Sequence, residues 1–376
     1  MTQSRLSLRD FSLLVTLIII WGFFAVTSPQ YLSARNLSAL SVELAITATL
    51  ALGMLLVILP GHIDLSVGSG VGLIGGIAAV LVFNHDWPAI LAFLPAIAVA
   101  LLVWYAQGTL IVRQRIPAFI ITLGGLLVFK GVFWLVINTH TVPVAPGGRP
   151  NLYSLLTTYY LPPLASYALV AIVFAALAVV AVRARRRRAQ MGFAVDDAEL
   201  AFMKLFLTAQ GLILFVLTVN QFRGIPLPVV ILGTVALAIQ VITRHTPFGR
   251  HLYAIGGNEE AAFVSGVPVQ KVVIGAFTLL GGIVAITGLM QTAYGGAATT
   301  TVGDQMELDA IAACVIGGTS LRGGRGTVLG VIFGALIMAS LLNGMTLLAV
   351  APELKFIVRG VVLTLAVWMD VKLAKR

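Results

Sequence analysis

An all-α fold of about ten to twelve membrane-crossing helices, forming one domain over residues 1–376, is the architecture this sequence predicts. Three observations carry that prediction. First, 59% of the 376 residues are hydrophobic and only 10% are charged, with a mean hydropathy of +1.02, whereas water-soluble domains carry about 25% charged residues. Second, apolar stretches recur along the chain at the length of about 20 residues that a bilayer demands. Third, there are 38 glycines, and small residues allow helices to approach closely where lipid supplies no hydrophobic drive between them.

The elements follow in order. Arg5 and Arg9 precede an apolar run over 11–26; no small-residue cleavage pattern follows it, so a retained first helix is expected rather than a signal peptide. Spans are then expected near 11–27, 43–60, 67–83, 88–112, 118–138, 161–182, 201–220, 226–243, 271–291, 307–318, 327–349 and 354–370. An even number places both termini on one side. With the termini cytoplasmic, 18 of the 24 Lys and Arg residues fall in inside segments, while only Arg35, Arg149 and Arg223 fall in outside loops. That asymmetry matches the bias that orients membrane proteins. The run RARRRR at 183–188 reads first as an orientation anchor, although such a cluster also attracts anionic lipid.

Several chemistries are excluded or disfavoured. The net charge of +10 does not indicate nucleic-acid binding, because the basic residues flank apolar spans. Cys314 is the single cysteine, so neither an intrachain disulfide nor a cysteine metal site can form. No phosphate-binding G-x-x-x-x-G-K-[ST] occurs, so the chain cannot hydrolyse ATP by that route. Gly70, Gly72 and Gly75 do form a G-x-G-x-x-G, but inside an apolar span without the strand a dinucleotide fold requires; close helix packing accounts for them. His62, His85, His140, His245 and His251 are dispersed, and no paired carboxylates, H-E-x-x-H or nucleophile motif appears. Neither a catalytic residue, a cofactor nor a metal is expected.

Three stretches depart from plain apolar helix. GHIDLSVGSG at 61–70 interrupts a span with Pro60 and Gly61 and places Asp64, Ser66 and Ser69 near a membrane boundary. Asp64 either caps the following helix or lines a pathway, since irregular polar backbone at such depth must face protein or water. RHTPFGRHLYAIGGNEEAAFVSGVPVQK at 244–271 is a long inside segment with a short amphipathic helix expected at Glu259–Val264, closed by Gly266 and Pro268. A structured helix on such a loop points to a docking surface. ELDAIAACVIGGTSLRGGRGT at 307–327 sets Asp309 in an apolar helix stopped at Gly317 and Gly318. Broken helices build transport pathways, and close packing of small residues is the other reading. A loose echo, ending in Ile-Gly-Gly, links 60–76 with 294–318, as an inverted repeat would.

In this order, IDLSVGS at 63–69, IPAFIITLGGLLVFKG at 116–131, FGRHLYAIGGNEEAAFVSGV at 248–267, ELDAIAACVIGGTSLRGG at 307–324 and VRGVVLTLAVWMD at 358–370 resemble the sugar permeases of ATP-binding-cassette importers. The likeness is to the ribose, galactose and xylose group and covers nearly the whole chain. YLSARNLSAL at 31–40, the cysteine in ELDAIAACVIGG and an additional helical hairpin near 161–220 lean toward its xylose branch. Position 62 departs from the pattern, being His where many members have Gly. The resemblance implies an importer permease fold of the type II kind and a permease homodimer in the inner membrane. It also implies two separate ATPase subunits on the cytoplasmic face, a periplasmic sugar-binding protein, and a monosaccharide substrate such as a pentose. It assigns the 244–270 loop, with Gly257, Asn258, Glu260, Ala261, Ala262 and Gly266, to ATPase coupling. Asp64, Ser66, Ser69, Thr122 and Asp309 become the candidate pathway residues. An ion-driven secondary transporter using Asp64 or Asp309 as ion sites is the alternative; an intramembrane enzyme lacks a convergent catalytic set.

Overall fold

The computed structural model describes residues 8–193, 195 and 197–374; Arg5, Lys375 and Arg376, used above for orientation, lie outside the described residues. The chain begins with α1 (Leu8–Thr27), α2 (Ala34–Ile58), α3 (Val67–Phe83), α4 (Ala89–Gln114) and α5 (Ala118–Val136). A short strand β1 (Val142–Pro143) and α6 (Leu152–Thr158) lead to the hairpin α7 (Pro163–Gln190) and α8 (Ala198–Asn220), then α9 (Leu227–His245). Two short helices follow, α10 (Pro247–Gly257) and α11 (Glu259–Val264), then the long α12 (Val269–Gly295) and strand β2 (Ala297–Ala298). The chain closes with α13 (Met306–Ile316), α14 (Val328–Leu347) and α15 (Pro352–Ala374).

Local chemistry sets these boundaries. The side chain of Ser33 accepts from the Asn36 N–H to start α2, and Thr327 does the same for Gly330 at the start of α14. α4, α5, α7 and α9 each begin immediately after, or on, a proline, where the absent N–H costs nothing. Gly296, at φ 73°, ends α12 in the left-handed conformation that glycine adopts without strain.

Eight of the described helices are long and apolar enough to cross a membrane, and Leu13–Thr27 and Val67–Phe83 are shorter apolar helices. The candidate span at 307–318 is α13, with 11 residues; at 1.5 Å per residue it rises about 16 Å, half the hydrocarbon thickness. α15 has the length to span but carries Glu353, Lys355 and Arg359 along its first half.

α2 is the axis of the bundle, in contact with α9, α12, α13 and α14, while α12 packs along α4 and α3. The most apolar window of α2 is 83% buried, against 6% for α7 and for α8. A helix that is apolar all round yet exposed, such as α7 with Leu164, Ile172 and Val180 uncovered, is stable only with lipid as its solvent. The glycines of α3 do what close packing requires: Gly70 lies under the Trp104 ring, Gly72 and Gly76 under Phe133, and Gly75 against Gly288 and Thr292.

Candidate translocation site

Two interrupted helices dominate the polar interior. At the first, α2 ends before Pro60 and the chain runs irregularly through 61–66 to α3. Gly61 takes φ 92°. Asp64 is wholly buried, and its carboxylate accepts from four donors. They are the Ser66 N–H at 2.7 Å, Ser66 Oγ at 2.6 Å, Trp104 Nε1 at 2.8 Å and Gln107 Nε2 at 3.2 Å. The N-cap position of α3 is Ser66, so Asp64 acts two residues earlier, folding the chain back on itself through the Ser66 N–H and tying the turn to α4. Thr122 Oγ1 on α5 donates to the Ile63 carbonyl at 3.3 Å. The neighbouring His62 lies with its ring tilted against Phe277; burial lowers its pKa below the ordinary value, with the charge of Glu259 opposing.

At the second break, residues 299–305 cross over the start of α3 before α13 begins. Gly303 lies on the Gly68 carbonyl, and the Glu307 carboxylate occupies the space that a side chain at position 68 would need. Lys130 on α5 pairs with Asp304 and donates to the Thr300 carbonyl at 2.7 Å; Trp134 Nε1 donates to the same carbonyl at 3.2 Å. Arg359 on α15 lies 3.1 Å from Asp309 but off the line of a hydrogen bond, so charge rather than direction holds that pair. Its guanidinium also donates to Gln305 Oε1 at 3.0 Å.

Beside this segment is a cavity of about 260 Å³ whose walls include Glu43, Tyr294, Asp304, Asp309, Thr346 and Arg359. Tyr294 Oη donates to Glu43 Oε1 at 3.0 Å and Asn343 Nδ2 to Glu43 Oε2 at 3.3 Å. Asn36 Nδ2 in turn donates to Asn343 Oδ1 at 2.9 Å. Such a cluster of carboxylates, hydroxyls, an amide and one guanidinium offers both donors and acceptors to a polyhydroxylated solute. Among the described residues no group of three or more His, Cys, Asp or Glu side chains is arranged to hold a metal ion.

Of the five pathway candidates, Asp309 alone lines this cavity. Asp64, Ser66 and Thr122 come together at the first break, and Ser69 is buried in the first turn of α3. The expected span 43–60 puts Glu43 at its edge, whereas α2 begins at Ala34 and carries Glu43 well inside it. A lone carboxylate within a spanning helix is a functional-site signal in itself. Lys130 and Arg359 carried the same signal.

At the end of the bundle where α9 runs into α10, the predicted helix Glu259–Val264 is α11. The side chain of Asn258 accepts from the Ala261 N–H at 2.9 Å, and Gly266, at φ 84°, turns the chain away. Ala262 is buried, while Phe263 and Val264 are 70% and 80% exposed. Gly257 has open space around it, but a Cβ at Gly256 would strike the Leu59 carbonyl and the Gly324 nitrogen. The Gly324 N–H donates to the Leu59 carbonyl at 2.9 Å, and Tyr253 Oη donates to the Gly326 carbonyl at 2.8 Å. One glycine joint therefore connects α10 to the break that follows α2 and to the link between α13 and α14.

An apolar-surfaced helical bundle with broken helices around a charged cavity defines a multi-pass membrane transport protein. The family model described as "Branched-chain amino acid transport system / permease component" matches residues 36–367. A xylose transport system permease protein of Haemophilus influenzae is 40% identical over 371 residues, covering 98% of each chain. Its counterpart in Escherichia coli K12 is 40% identical over 366 residues, 97% of this chain and 92% of the relative. A ribose import permease protein of E. coli K12 is 32% identical over 359 residues, 96% and 92%. No solved structure matches the chain. The chain belongs to this permease family, among the sugar permeases of ABC transporters, and is a multi-pass protein of the bacterial inner membrane.

Proposed function

We propose that this chain is the membrane-spanning subunit of an ATP-driven monosaccharide importer, working as a homodimer with a separate ATPase and a periplasmic sugar-binding protein. The names of its relatives, which refer to xylose and ribose, favour a pentose. The observation that carries the ATP-driven reading is the glycine joint, where Gly256 lies against Leu59, Gly323 and Gly324. A push on α11 from a docked ATPase passes through rigid backbone, without an intervening side chain to absorb it, into the links before α3 and before α14.

In this reading the bond between the ATP phosphates is broken in the partner, and this chain converts the partner's closure into a rearrangement of its own breaks. The loop with Gly257, Asn258, Glu260, Ala261, Ala262 and Gly266 shapes the docking elbow. Phe263 and Val264 are the residues that enter the partner's groove, because they are uncovered apolar side chains on a polar loop. With the basic residues cytoplasmic, the cavity at Glu43, Asp309 and Arg359 opens toward the periplasmic half. There its donors and acceptors replace water around sugar hydroxyls without binding them tightly. Asp64, Ser66 and Thr122 brace the break that moves.

The test is uptake of labelled xylose by proteoliposomes holding this chain, its ATPase and the binding protein. Uptake that requires internal ATP, and that Phe263→Asp abolishes together with ATPase co-purification, is the expected result. Uptake that persists without ATP and stops with a protonophore would overturn the reading in favour of ion-driven transport.

A further inference from the structure

The basic cluster at 183–188 has a structural setting that orientation alone does not require. α7 has 28 residues; its apolar part ends at Val182, and the next eight residues, five of them arginine, rise about 12 Å further, through the headgroup layer. The hairpin is packed at only one end. There the Leu161 N–H donates to the Ile225 carbonyl, the Ile225 N–H donates to Ser166 Oγ, and Val216, Val219 and Ile225 form a small core with Leu169 and Val170. Toward the other end a groove of about 610 Å³ lies between α7 and α8.

That groove is amphipathic along its length. Leu177 and Ala181 on α7 and Phe202 and Leu205 on α8 form its apolar walls, and Arg185 and Arg188 stand at its mouth, with Lys204 on the opposite side. Arg185 and Arg188 are three residues apart and share the groove-facing side of α7 with Leu177 and Ala181. Arg183, Arg186 and Arg187 are not among the groove residues. Across 183–204 there are six basic residues against three acidic ones, so the mouth has a surplus of positive charge. Apolar walls deep in the bilayer with two guanidinium groups at headgroup height match one class of molecule, an anionic diacyl phospholipid.

We propose that the groove between α7 and α8 is a binding site for an anionic phospholipid, with Arg185 and Arg188 holding the phosphate and the walls of Leu177, Ala181, Phe202 and Leu205 holding an acyl chain. This site is separate from the cavity at Glu43 and from the docking elbow, and fails or stands independently of the transport reading. It gives the hairpin the role of a lipid-filled wedge, occupying from outside the space that its two helices leave open.

Native mass spectrometry of the purified full chain, titrated with dioleoyl phosphatidylglycerol or dioleoyl phosphatidylcholine, decides the matter. The wild type should prefer the anionic lipid by about tenfold. The R185Q/R188Q variant should lose that preference, while R183Q/R186Q/R187Q, which removes more charge, should retain it. Equal loss in both variants, or no preference in the wild type, would overturn the site and leave only an orientation anchor. Should R185Q/R188Q fail to insert, A181W/L205W fills the groove with every arginine in place. Loss of bound phosphatidylglycerol there supports the site, and wild-type binding refutes it.

Discussion

Both interrupted helices place acidic residues in an apolar interior, yet they do so with opposite chemistry. Asp64 is saturated by neutral donors from its own turn and from α4. Asp309, buried, instead lies against Arg359 on α15, and beside it the exposed Asp304 pairs with Lys130 on α5. α4 is packed along α12, whereas α5 is only 11% buried over its apolar window. A carboxylate that accepts several fixed hydrogen bonds in a closed site behaves as a knot. A carboxylate that meets a cation on a loosely packed helix, beside a cavity, behaves as a latch: its partner can be exchanged for water or solute at modest cost. The difference teaches that burial of an acidic group in a membrane protein does not reveal its role; the identity and anchoring of its partner do.

The largest effect should come from breaking the knot. Asp64→Ala leaves Trp104 Nε1 and the Ser66 N–H buried without their acceptor, while Gln107 and the Ser66 hydroxyl keep only each other, at a cost on the order of 3 kcal/mol. Little monodisperse protein should be recovered by size-exclusion chromatography, and normal recovery would remove the distinction drawn here. Next, Gly256→Ala drives a methyl group into Leu59 and Gly324 backbone, costing about 1–3 kcal/mol. ATPase should still co-purify, but ATP hydrolysis should continue without sugar uptake.

Removing both members of the latch is milder for folding, because replacing a whole ion pair by neutral groups is often close to neutral in stability. The double variant D309N/R359Q should keep the wild-type melting temperature while uptake falls about tenfold, the scale of ~1.4 kcal/mol in a barrier. A fall in melting temperature with unchanged uptake would make this pair a second knot. The smallest effect is expected from Thr122→Val, which removes one hydrogen bond to the Ile63 carbonyl worth about 0.5–1.5 kcal/mol. Thermal unfolding in detergent should register it and uptake should not.

Much of the fold was legible because a bilayer imposes lengths. Apolar runs of spanning size marked α1 to α5 and the hairpin, and the polar, glycine-punctuated segment at 244–271 marked α11 at Glu259–Val264, while α10 was not expected. What length alone misjudged was 307–318, where an apolar stretch of spanning composition becomes an 11-residue helix with glycines at its end. Within the site, Asp309 stood out as a charge in an apolar helix, but Glu43 was hidden by a boundary. Arg359 and Lys130 fall within the expected spans 354–370 and 118–138, and spacing along the chain does not say which carboxylates they meet. Phe263 was not singled out, since an apolar residue on a short amphipathic helix reads as its buried face until the packing reveals Ala262 there instead.

The sequence by itself therefore determined that this chain crosses a membrane many times, where its breaks and its short helix at Glu259–Val264 lie, and which family it resembles. All of these depend on the order and period of residues along one dimension. Tertiary structure alone decided which acidic residue is a knot and which a latch, that Gly256 joins Leu59 to Gly324, and that two of five clustered arginines face a groove. Those facts are lateral. In lipid, any apolar helix can turn any face toward any neighbour, so the partners of Glu43, Asp64 and Asp309 are chosen by three-dimensional packing of small residues and buried hydrogen bonds, which spacing along the chain does not encode.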